Sequence, residues 1–233
     1  SLVRKPPVAP DSSHIYWDPN KAILNPEHLE GFDAVVHLAG ENIAGGRWSQ
    51  ERKRRIFESR VRGTSLLSAA LKACAAPPNT FISASAVGYY GDGGDEILDE
   101  TALPGRGFLA ETCLAWEQAA HPVRDAGIRT VFLRTGMVLS KSGGALERMV
   151  PPFRFGLGGP LGLGRRWMSW IALDDMARLI MHCLEDTSLS GPVNAVAPHP
   201  VRNAVFARTL GRLLGRPALL PIPPLVLQLA FGE

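Results

Sequence analysis

The sequence predicts an α/β fold, built as a doubly wound parallel sheet with a small C-terminal lobe. Strand-like and helix-like segments alternate along the 233 residues, a pattern typical of parallel strands joined by crossover helices. The stretch FDAVVHLAG (32–40) is a continuous apolar run that ends in glycine, as expected of a strand buried on both faces. A hydrophobic content of 45% is enough to form one sizeable core.

The first half of the chain contains three strand-like segments and one long helix. Residues 1–7 resemble the end of a strand that runs into a proline-rich loop, and residues 14–18 indicate a short edge strand. A helix is predicted over 49–74, because Ser49 can cap it two residues before Glu51 and apolar residues then recur at helical spacing.

The second half continues the alternation and then changes character. Residues 151–175 are rich in Gly, Pro and aromatic side chains, which predicts a meander in a substrate-side lobe. We therefore divide the chain into a core over 1–140 and a lobe over 141–233 that is interleaved with the last strands of the sheet. The predicted elements are a strand at 79–87, a helix at 107–127, a strand at 129–140, a helix from Asp174, a strand at 192–197 and a helix at 203–215.

Charge and cysteine content narrow the functional classes. The net charge of +3 is mild, and the basic run 47–62 is interrupted by Glu51 and Glu58, so we interpret it as a solvated helix face and predict no nucleic-acid partner. Three widely spaced cysteines predict buried, reduced thiols and no metal site. No apolar run is long enough to span a membrane and no signal peptide is visible, which predicts a cytoplasmic protein.

A dinucleotide site normally includes a glycine-rich turn between a strand and a helix, where backbone N–H groups meet the pyrophosphate. The richest glycine cluster, residues 156–164, follows no clear strand, is interrupted by Pro160 and precedes an aromatic segment. We interpret it as part of the substrate lobe. The sequence therefore lacks a recognisable phosphate-binding fingerprint.

Arg4 and Lys5 stand at a strand end with no acidic neighbour. In a nucleotide-binding sheet, basic residues at the end of the second strand can pair with the 2′-phosphate of NADP(H). A solvated basic pair on a loop is the alternative.

The stretch FISASAVGYYG (81–91) combines serines and tyrosines at a strand end, a combination often found in hydride-transfer enzymes. Such enzymes place a lysine four residues after the tyrosine, where its charge lowers the phenol pKa. The residues four positions after Tyr16, Tyr89 and Tyr90 are Asn, Gly and Gly. The Tyr-x-x-x-Lys pair is therefore absent.

Three motifs give the chain a specific resemblance: HLAGENI (37–43), SASAVGYYG (83–91) and PFRFGLGGPLGLG (152–164). They resemble the epimerase-like members of the extended short-chain dehydrogenase/reductase family, an atypical, sugar-nucleotide-epimerase-like group that also carries an old cell-division-inhibitor label. The resemblance spans essentially the whole chain. It implies a Rossmann-like fold, an NADP(H) site and a C-terminal lobe that holds a small-molecule substrate such as a nucleotide sugar or a carbonyl compound.

The resemblance also implies roles for individual residues. Ser85 matches the active-site serine, which would hydrogen-bond a substrate carbonyl or hydroxyl, and Ser83 is the second choice. Glu111 stands at the usual tyrosine position and Ala115 at the lysine position, so the proton would come from Glu111, Tyr89, Tyr90 or water. Glu111 could serve if burial raised its pKa, and a solvated helix glutamate is an equal alternative. The implied cofactor contacts are Arg4, Lys5, Leu38, Ala39, Gly40, Arg60, Thr64, Ser83, Thr135, Gly136 and Val138.

Relatives of this kind begin with a further strand and glycine-rich turn and extend beyond the last residues seen here. We therefore expect the first βα unit of the fold to be missing, and the chain alone to bind NADPH poorly. Two functions remain open. The first is an NADP(H)-dependent oxidoreductase or epimerase-like enzyme, which the glycine- and aromatic-rich lobe favours. The second is a non-catalytic NADPH-binding sensor or scaffold, which the absent Tyr/Lys pair favours.

Overall fold

The computed structural model describes residues 1–4, 14–218 and 221–223, and strands and helices alternate through them as predicted. In chain order the elements are β1 Leu2–Val3, β2 Ile15–Tyr16, β3 Ala34–His37, α1 Gln50–Ala73, β4 Thr80–Ala86, α2 Phe108–Gln118, α3 His121–Asp125, β5 Arg129–Thr135, β6 Met137–Ser140, α4 Gly144–Arg154, β7 Trp167–Met168, β8 Trp170–Ala172, α5 Leu173–Glu185, β9 Gly191–Ala195, β10 Val201–Arg202 and α6 Asn203–Leu213.

The centre of the fold is a four-stranded sheet in the order β3-β4-β5-β9, and every neighbouring pair is parallel. Helices connect these strands in sequence, which is the arrangement that the alternating pattern predicts. The predicted α/β fold with a parallel sheet is thus confirmed. Phe81, Ile82, Val131 and Leu133 are fully buried, so the two middle strands carry the core.

Strands β1 and β2 form a separate parallel pair beside this sheet. Leu2 of β1 and Val35 of β3 pack against the same buried cluster, so the pair shares the core of the main sheet. The prediction that β3 is buried on both faces is wrong. It is an edge strand of the four-stranded sheet, and Val36 is 38% exposed.

Helix α1 begins and ends where its sequence signals predict. Ser49 accepts a hydrogen bond from the backbone N–H of Arg52 at 3.2 Å, which satisfies one of the free donors of the first turn. Leu67 and Leu71 are fully buried, one turn apart on the face that packs against the sheet core.

Two predicted elements are each divided in the structure. The helix predicted over 107–127 is split into α2 and α3, because Pro122 has no N–H to donate to the preceding turn and instead begins the second helix. The strand predicted over 129–140 is split at Gly136 into β5 and β6, which lie in different sheets. A Cβ atom at Gly136 would lie 2.7 Å from the carbonyl oxygen of Ser169, so only glycine allows this crossing.

The C-terminal lobe differs from the predicted meander at its start. Pro151 and Pro152 lie in the last turn of α4, where Phe153 is buried against Ala207 and Leu210 of α6. This apolar contact offsets the loss of helix hydrogen bonds at the prolines. Strand β9 lies beside β5 in the main sheet, and the division at residue 140 stays a prediction. Part of the segment 217–223 lies outside the described residues.

The three cysteines, Cys74, Cys113 and Cys183, are buried and form no disulfide. Burial raises the pKa of Cys113 to about 11, so its thiol stays protonated near neutral pH. None of the helices within the described ranges has the length and apolar content needed to cross a membrane.

Candidate functional site

A cavity lies where the first three strands end. Residues that follow β1, β2 and β3 line one side of it, and α1 lines the other. In α/β folds, ligands bind at the carboxyl ends of parallel strands. The volume is about 150 Å³, below the roughly 300–1,000 Å³ of a drug-sized site, so the cavity fits one end of a larger ligand. We call it the strand-end cavity; its lining residues are Arg4, Asp18, Pro19, Asn20, Glu41, Arg55, Glu58 and Ser59.

Two guanidinium groups of the strand-end cavity remain available to an anion. Asp18 accepts two backbone N–H groups of its own turn, at 3.0 and 3.3 Å, and Glu58 pairs with the next turn of α1 at 3.1 Å. Arg4 forms no ion pair within the described residues, and Arg55 reaches only the exposed carboxylate of Glu51 at 3.9 Å. Asp18 and Glu58 are therefore occupied within their own elements, whereas Arg4 and Arg55 are not; the third acid of the lining is Glu41.

The turn after β3 brings the predicted Gly40 against Arg60. A Cβ atom at Gly40 would lie 3.2 Å from Arg60 Cζ, so glycine lets the guanidinium approach the backbone. Arg60 Nη1 donates to the carbonyl oxygens of Glu41 and Ile56 at 3.0 and 3.1 Å, and the guanidinium lies 5.0 Å from the Trp116 ring. Burial lowers the pKa of Arg60, but arginine is such a strong base that the side chain stays protonated near neutral pH.

The same turn carries the predicted residues Leu38 and Ala39. Leu38 is 54% exposed and Ala39 is half-buried, so this turn offers an apolar surface next to the cavity. The backbone N–H of Glu41 donates to Ser59 Oγ at 2.9 Å, which holds the end of the turn on α1. Lys5, the neighbour of Arg4, lies outside the described residues.

Thr64 lies below this turn and is fully buried. Its hydroxyl oxygen accepts from Trp116 Nε1 at 2.9 Å and lies 3.1 Å from His37 Nε2. Because Trp116 is the donor, the Thr64 hydroxyl can donate to a neutral His37 ring, which places the ring proton on Nδ1. Burial lowers the pKa of His37 to about 4, in agreement with a neutral ring. The predicted cofactor contact of Thr64 stays a prediction; here the side chain supports the turn from beneath.

Ser85 belongs to a buried polar network. Its hydroxyl donates to Glu117 Oε1 at 2.7 Å, and Arg134 binds both carboxylate oxygens of Glu117 at 3.0 Å. All three residues are less than 10% exposed. The sequence reasoning missed Glu117 and Arg134, although a visible signal existed, since each is a charged residue within an otherwise apolar segment, LAWE or VFLRT.

Tyr90 extends this network towards β9. Its hydroxyl donates to Asn194 Oδ1 at 2.6 Å and accepts from Arg134 Nη1 at 3.1 Å. Arg134 therefore places a cation next to Tyr90, although the sequence has no lysine four residues after that tyrosine. Burial nevertheless raises the pKa of Tyr90 and outweighs the opposing effect of Arg134, so the phenol stays protonated.

Tyr89 presents its ring to the same guanidinium, with Arg134 Cζ 3.5 Å from the ring centroid. Burial alone lowers the pKa of Arg134, but hydrogen bonds to Glu117 and Tyr90 and the charge of Glu117 outweigh it, and the net effect is a raised pKa. The network therefore pairs the Arg134 guanidinium with the Glu117 carboxylate below the carboxyl ends of β4, β5 and β9.

The other predicted residues lie in different surroundings. Ser83 is buried and donates to the carbonyl of the next residue at 3.3 Å, and Thr135 donates to the carbonyl two residues earlier at 3.0 Å. Gly136 lies at the crossing from β5 to β6, and Val138 lies within β6, paired with Ile171 of β8. Glu111 is exposed in the first turn of α2, which favours the solvated-glutamate alternative.

The structure thus brings Arg4, Gly40 and Arg60 to one end of the sheet and places Ser85 and Tyr90 in one buried network. It adds Asp18, Arg55 and other lining residues that the sequence reasoning missed, because they come from separate elements and follow no motif. Within residues 1–4, 14–218 and 221–223, no group of three or more His, Cys, Asp or Glu side chains could hold a metal ion.

Comparison with known proteins gives a family for this arrangement. Residues 19–195 match the model of the NAD dependent epimerase/dehydratase family. "Epimerase family protein Mb2239" of Mycobacterium bovis is 45% identical over 232 residues, which cover 100% of this chain and 76% of that protein.

Two solved structures resemble the fold described above. The crystal structure of human epimerase family protein SDR39U1 (isoform2) with NADPH superimposes with a TM-score of 0.89 at 37% identity, covering 100% of this chain and 77% of that one. The nucleoside-diphosphate sugar epimerase from Corynebacterium glutamicum gives a TM-score of 0.78 at 40% identity, covering 98% of this chain and 48% of that one.

Proposed function

The chain belongs to the NAD dependent epimerase/dehydratase family, and we propose that it binds NADP(H) with the adenosine 2′-phosphate in the strand-end cavity. The observation that carries the proposal is the joint presence of Arg4 and Arg55, whose guanidiniums have no buried acidic partner there. Two guanidiniums bind a phosphate more strongly than a ribose hydroxyl, which selects NADP(H) over NAD(H). The NADPH bound to the human relative supports the same choice of cofactor.

Adenosine 2′,5′-bisphosphate tests this cavity without the rest of the cofactor. We expect Arg4→Gln and Arg55→Gln each to weaken its binding about tenfold, because each removes a charged hydrogen bond to the 2′-phosphate. Adenosine 5′-monophosphate, which lacks that phosphate, should bind all forms alike. Arg54→Gln is the matched control, since Arg54 is an exposed neighbour on α1 that does not line the cavity. Equal losses for both nucleotides in calorimetry would count against 2′-phosphate recognition.

For the chemistry, we propose an NADP(H)-dependent oxidoreductase or epimerase-like reaction on a nucleotide sugar or a carbonyl compound. The support is the family membership and the nucleoside-diphosphate sugar epimerase among the similar structures. Ser85 would hydrogen-bond the substrate after exchanging its bond to Glu117. The proton donor would be Glu111, Tyr89, Tyr90 or water, because the chain has no Tyr-x-x-x-Lys pair.

A specific observation favours the second candidate, an NADPH-binding sensor or scaffold without turnover. The hydroxyls of Ser85 and Tyr90 already donate to partners within the fold, Glu117 and Asn194, rather than to an open substrate site. Two readouts separate the two candidates: loss of NADPH absorbance with carbonyl compounds, and chromatographic detection of an epimerised product from nucleotide sugars, because an epimerisation regenerates its cofactor. Turnover identifies the enzyme, and saturable NADPH binding with no turnover identifies the sensor.

A further inference from the structure

The C-terminal lobe has an uneven distribution of charge. Residues 148–172 contain four arginines, residues 187–218 contain four more, and neither range contains an aspartate or a glutamate. The acidic residues between these ranges lie on α5 or at its end, and α5 packs against the main sheet through Met176 and Cys183. The two ranges are therefore strongly basic.

Most of these arginines have no acidic partner. Two of them pair with the loop before α2: Arg166 lies 3.8 Å from Asp92, and Arg202 lies 2.5 Å from Asp95 and also donates to the carbonyl oxygen of Arg165. Within residues 1–4, 14–218 and 221–223, the exposed arginines without an ion pair include Arg154, Arg165, Arg208, Arg212 and Arg216. Their charge is available to an external anion.

Large apolar side chains are exposed in the same region. Phe155 is 81% exposed, Leu157 is 69% exposed and Leu163 is 77% exposed, all in the loop between α4 and β7. Leu213, in the last turn of α6, is also exposed. Isolated exposed leucines are common, but several of them close together mark an interaction surface.

The first part of this loop lies beside the end of α6. Arg216, just beyond the helix, donates from Nε to the carbonyl oxygen of Arg154 at 3.0 Å. Phe155 directly follows that carbonyl group, and the N–H of Leu157 donates to the carbonyl oxygen of Pro152 at 2.9 Å, which holds the loop against the last turn of α4. Two exposed apolar residues therefore lie close to two exposed arginines.

The second part of the loop lies beside the start of α6. The N–H of Leu161 donates to Asn203 Oδ1 at 2.6 Å, and Leu163 lines a concave surface together with Val205 and Arg208. The loop therefore runs along α6 from the end of the helix to its start.

Helix α6 presents basic side chains on its outer face. Ala207 and Leu210 are buried against Phe153 of α4, whereas Arg208 and Arg212, one turn apart, are exposed. We call this region the arginine–leucine surface; its members are Phe155, Leu157, Leu163, Arg208, Arg212 and Arg216.

We propose that the arginine–leucine surface binds peripherally to a membrane rich in anionic lipids. The charge of the surface is complementary to the lipid phosphates, and its apolar side chains enter the boundary between headgroups and acyl chains. A basic surface alone would also attract nucleic acid, but leucine has no ring to stack on a base, whereas it gains free energy when it leaves water for lipid. This contact requires no membrane-spanning helix and does not depend on the proposed cofactor or reaction.

Co-sedimentation with vesicles tests the charges. We expect the protein to bind vesicles of phosphatidylglycerol and phosphatidylcholine in equal parts, to bind pure phosphatidylcholine much less, and to be released by added salt. Arg208→Gln and Arg212→Gln should each lower the partition coefficient about fivefold, because each arginine contributes one contact with an anionic headgroup. Arg178→Gln, at an exposed position on α5, is the matched control. Absence of binding to the anionic vesicles, or an equal loss in the control, overturns the proposal.

Phe155→Ser and Leu157→Ser separate a membrane from a nucleic acid, because they remove apolar area and keep every charge. Each should weaken partition onto the anionic vesicles about tenfold and leave retention on duplex DNA at low salt unchanged. Met181→Ser, at an exposed apolar position on α5, should change neither. If the two variants leave vesicle binding unchanged, the surface attracts polyanions in general and the proposal fails.

Phe155→Trp reports insertion directly. Bromine atoms on lipid acyl chains quench a tryptophan that enters the bilayer, so brominated anionic vesicles should quench the added fluorescence of this variant relative to the wild type. Met181→Trp is the control on α5 and should not be quenched. Equal quenching at the two positions, or none at position 155, contradicts insertion of this surface.

Discussion

The carboxylate of Glu117 accepts three hydrogen bonds, one from Ser85 and two from Arg134. Arg134 in turn donates to Tyr90, which donates to Asn194. A continuous chain of polar groups therefore joins α2 to three strands of the central sheet. Ion pairs of this kind contribute little net stability when complete, but are costly when one partner is lost.

This asymmetry gives a prediction for the Glu117–Arg134 pair, whose side chains are 9% and 4% exposed. Glu117→Gln should lower the free energy of unfolding by about 3–5 kcal/mol, because the Arg134 guanidinium is left buried without its counter-charge. The double variant Glu117→Leu with Arg134→Met should recover much of that loss. Urea unfolding of Glu117→Leu, of Arg134→Met and of the double variant measures the coupling, and strictly additive losses would contradict it.

His37 gives a second prediction at the same scale. Burial lowers its pKa from 6.5 to about 4, so the unfolded chain binds a proton between these values and the folded chain does not. The contribution of the neutral His37 ring to the free energy of unfolding is fully present above about pH 6.5 and is lost as the pH falls towards about 4. We expect the free energy of unfolding to fall by about 2 kcal/mol between about pH 7.5 and about pH 5 from this residue alone.

The His37→Phe variant isolates that contribution, since phenylalanine fills the site between Trp17 and Phe81 without titrating. Between about pH 7.5 and about pH 5, the unfolding free energy of this variant should fall by about 2 kcal/mol less than that of the wild type. His182→Gln is the control, because His182 is exposed on α5. An equal change of slope in the control would show that the pH dependence does not arise at His37.

At the scale of elements, signals within the segment itself predicted the bounds of α1. Such signals failed for elements whose bounds or exposure depend on contacts with residues distant in the chain. The Ser49 cap and the apolar stripe both act within the helix, so the sequence alone predicts its bounds. The division at Gly136 depends on the carbonyl of Ser169, which is distant in sequence. The exposure of Val36 depends on which elements pack beside β3. An apolar run in the sequence does not indicate which elements these are.

The cap of α1 gives a prediction for the element. Ser49→Ala should lower the free energy of unfolding by about 1 kcal/mol, because the N–H of Arg52 loses its acceptor. Ser65→Ala, at an exposed position within the same helix, should be neutral or slightly stabilising through its helix propensity. Denaturant titration compares the two; a loss at Ser65 as large as that at Ser49 would rule out a capping effect.

For the molecule as a whole, motifs located individual residues of the candidate site but not the groups that complete it. Arg4, Gly40 and Arg60 follow from a strand end and from the HLAGEN and SRVRGT segments. Arg55 comes from a helix face that was interpreted as solvated, and only the fold places it in the same cavity as Arg4. The partner of Ser85 lies 32 residues further along the chain, beyond the reach of any local pattern.

Strand β9 adds a consequence for how the chain is made. Val131 of β5 pairs with Gly191, so residues 1–140 emerge from the ribosome well before the strand that completes their sheet. Until then the edge of β5 is open and the Tyr90 hydroxyl lacks its acceptor on Asn194. Synthesis at about 5–20 residues per second makes this interval a few seconds long. The sheet of the core is therefore completed only after much of the lobe has been synthesised.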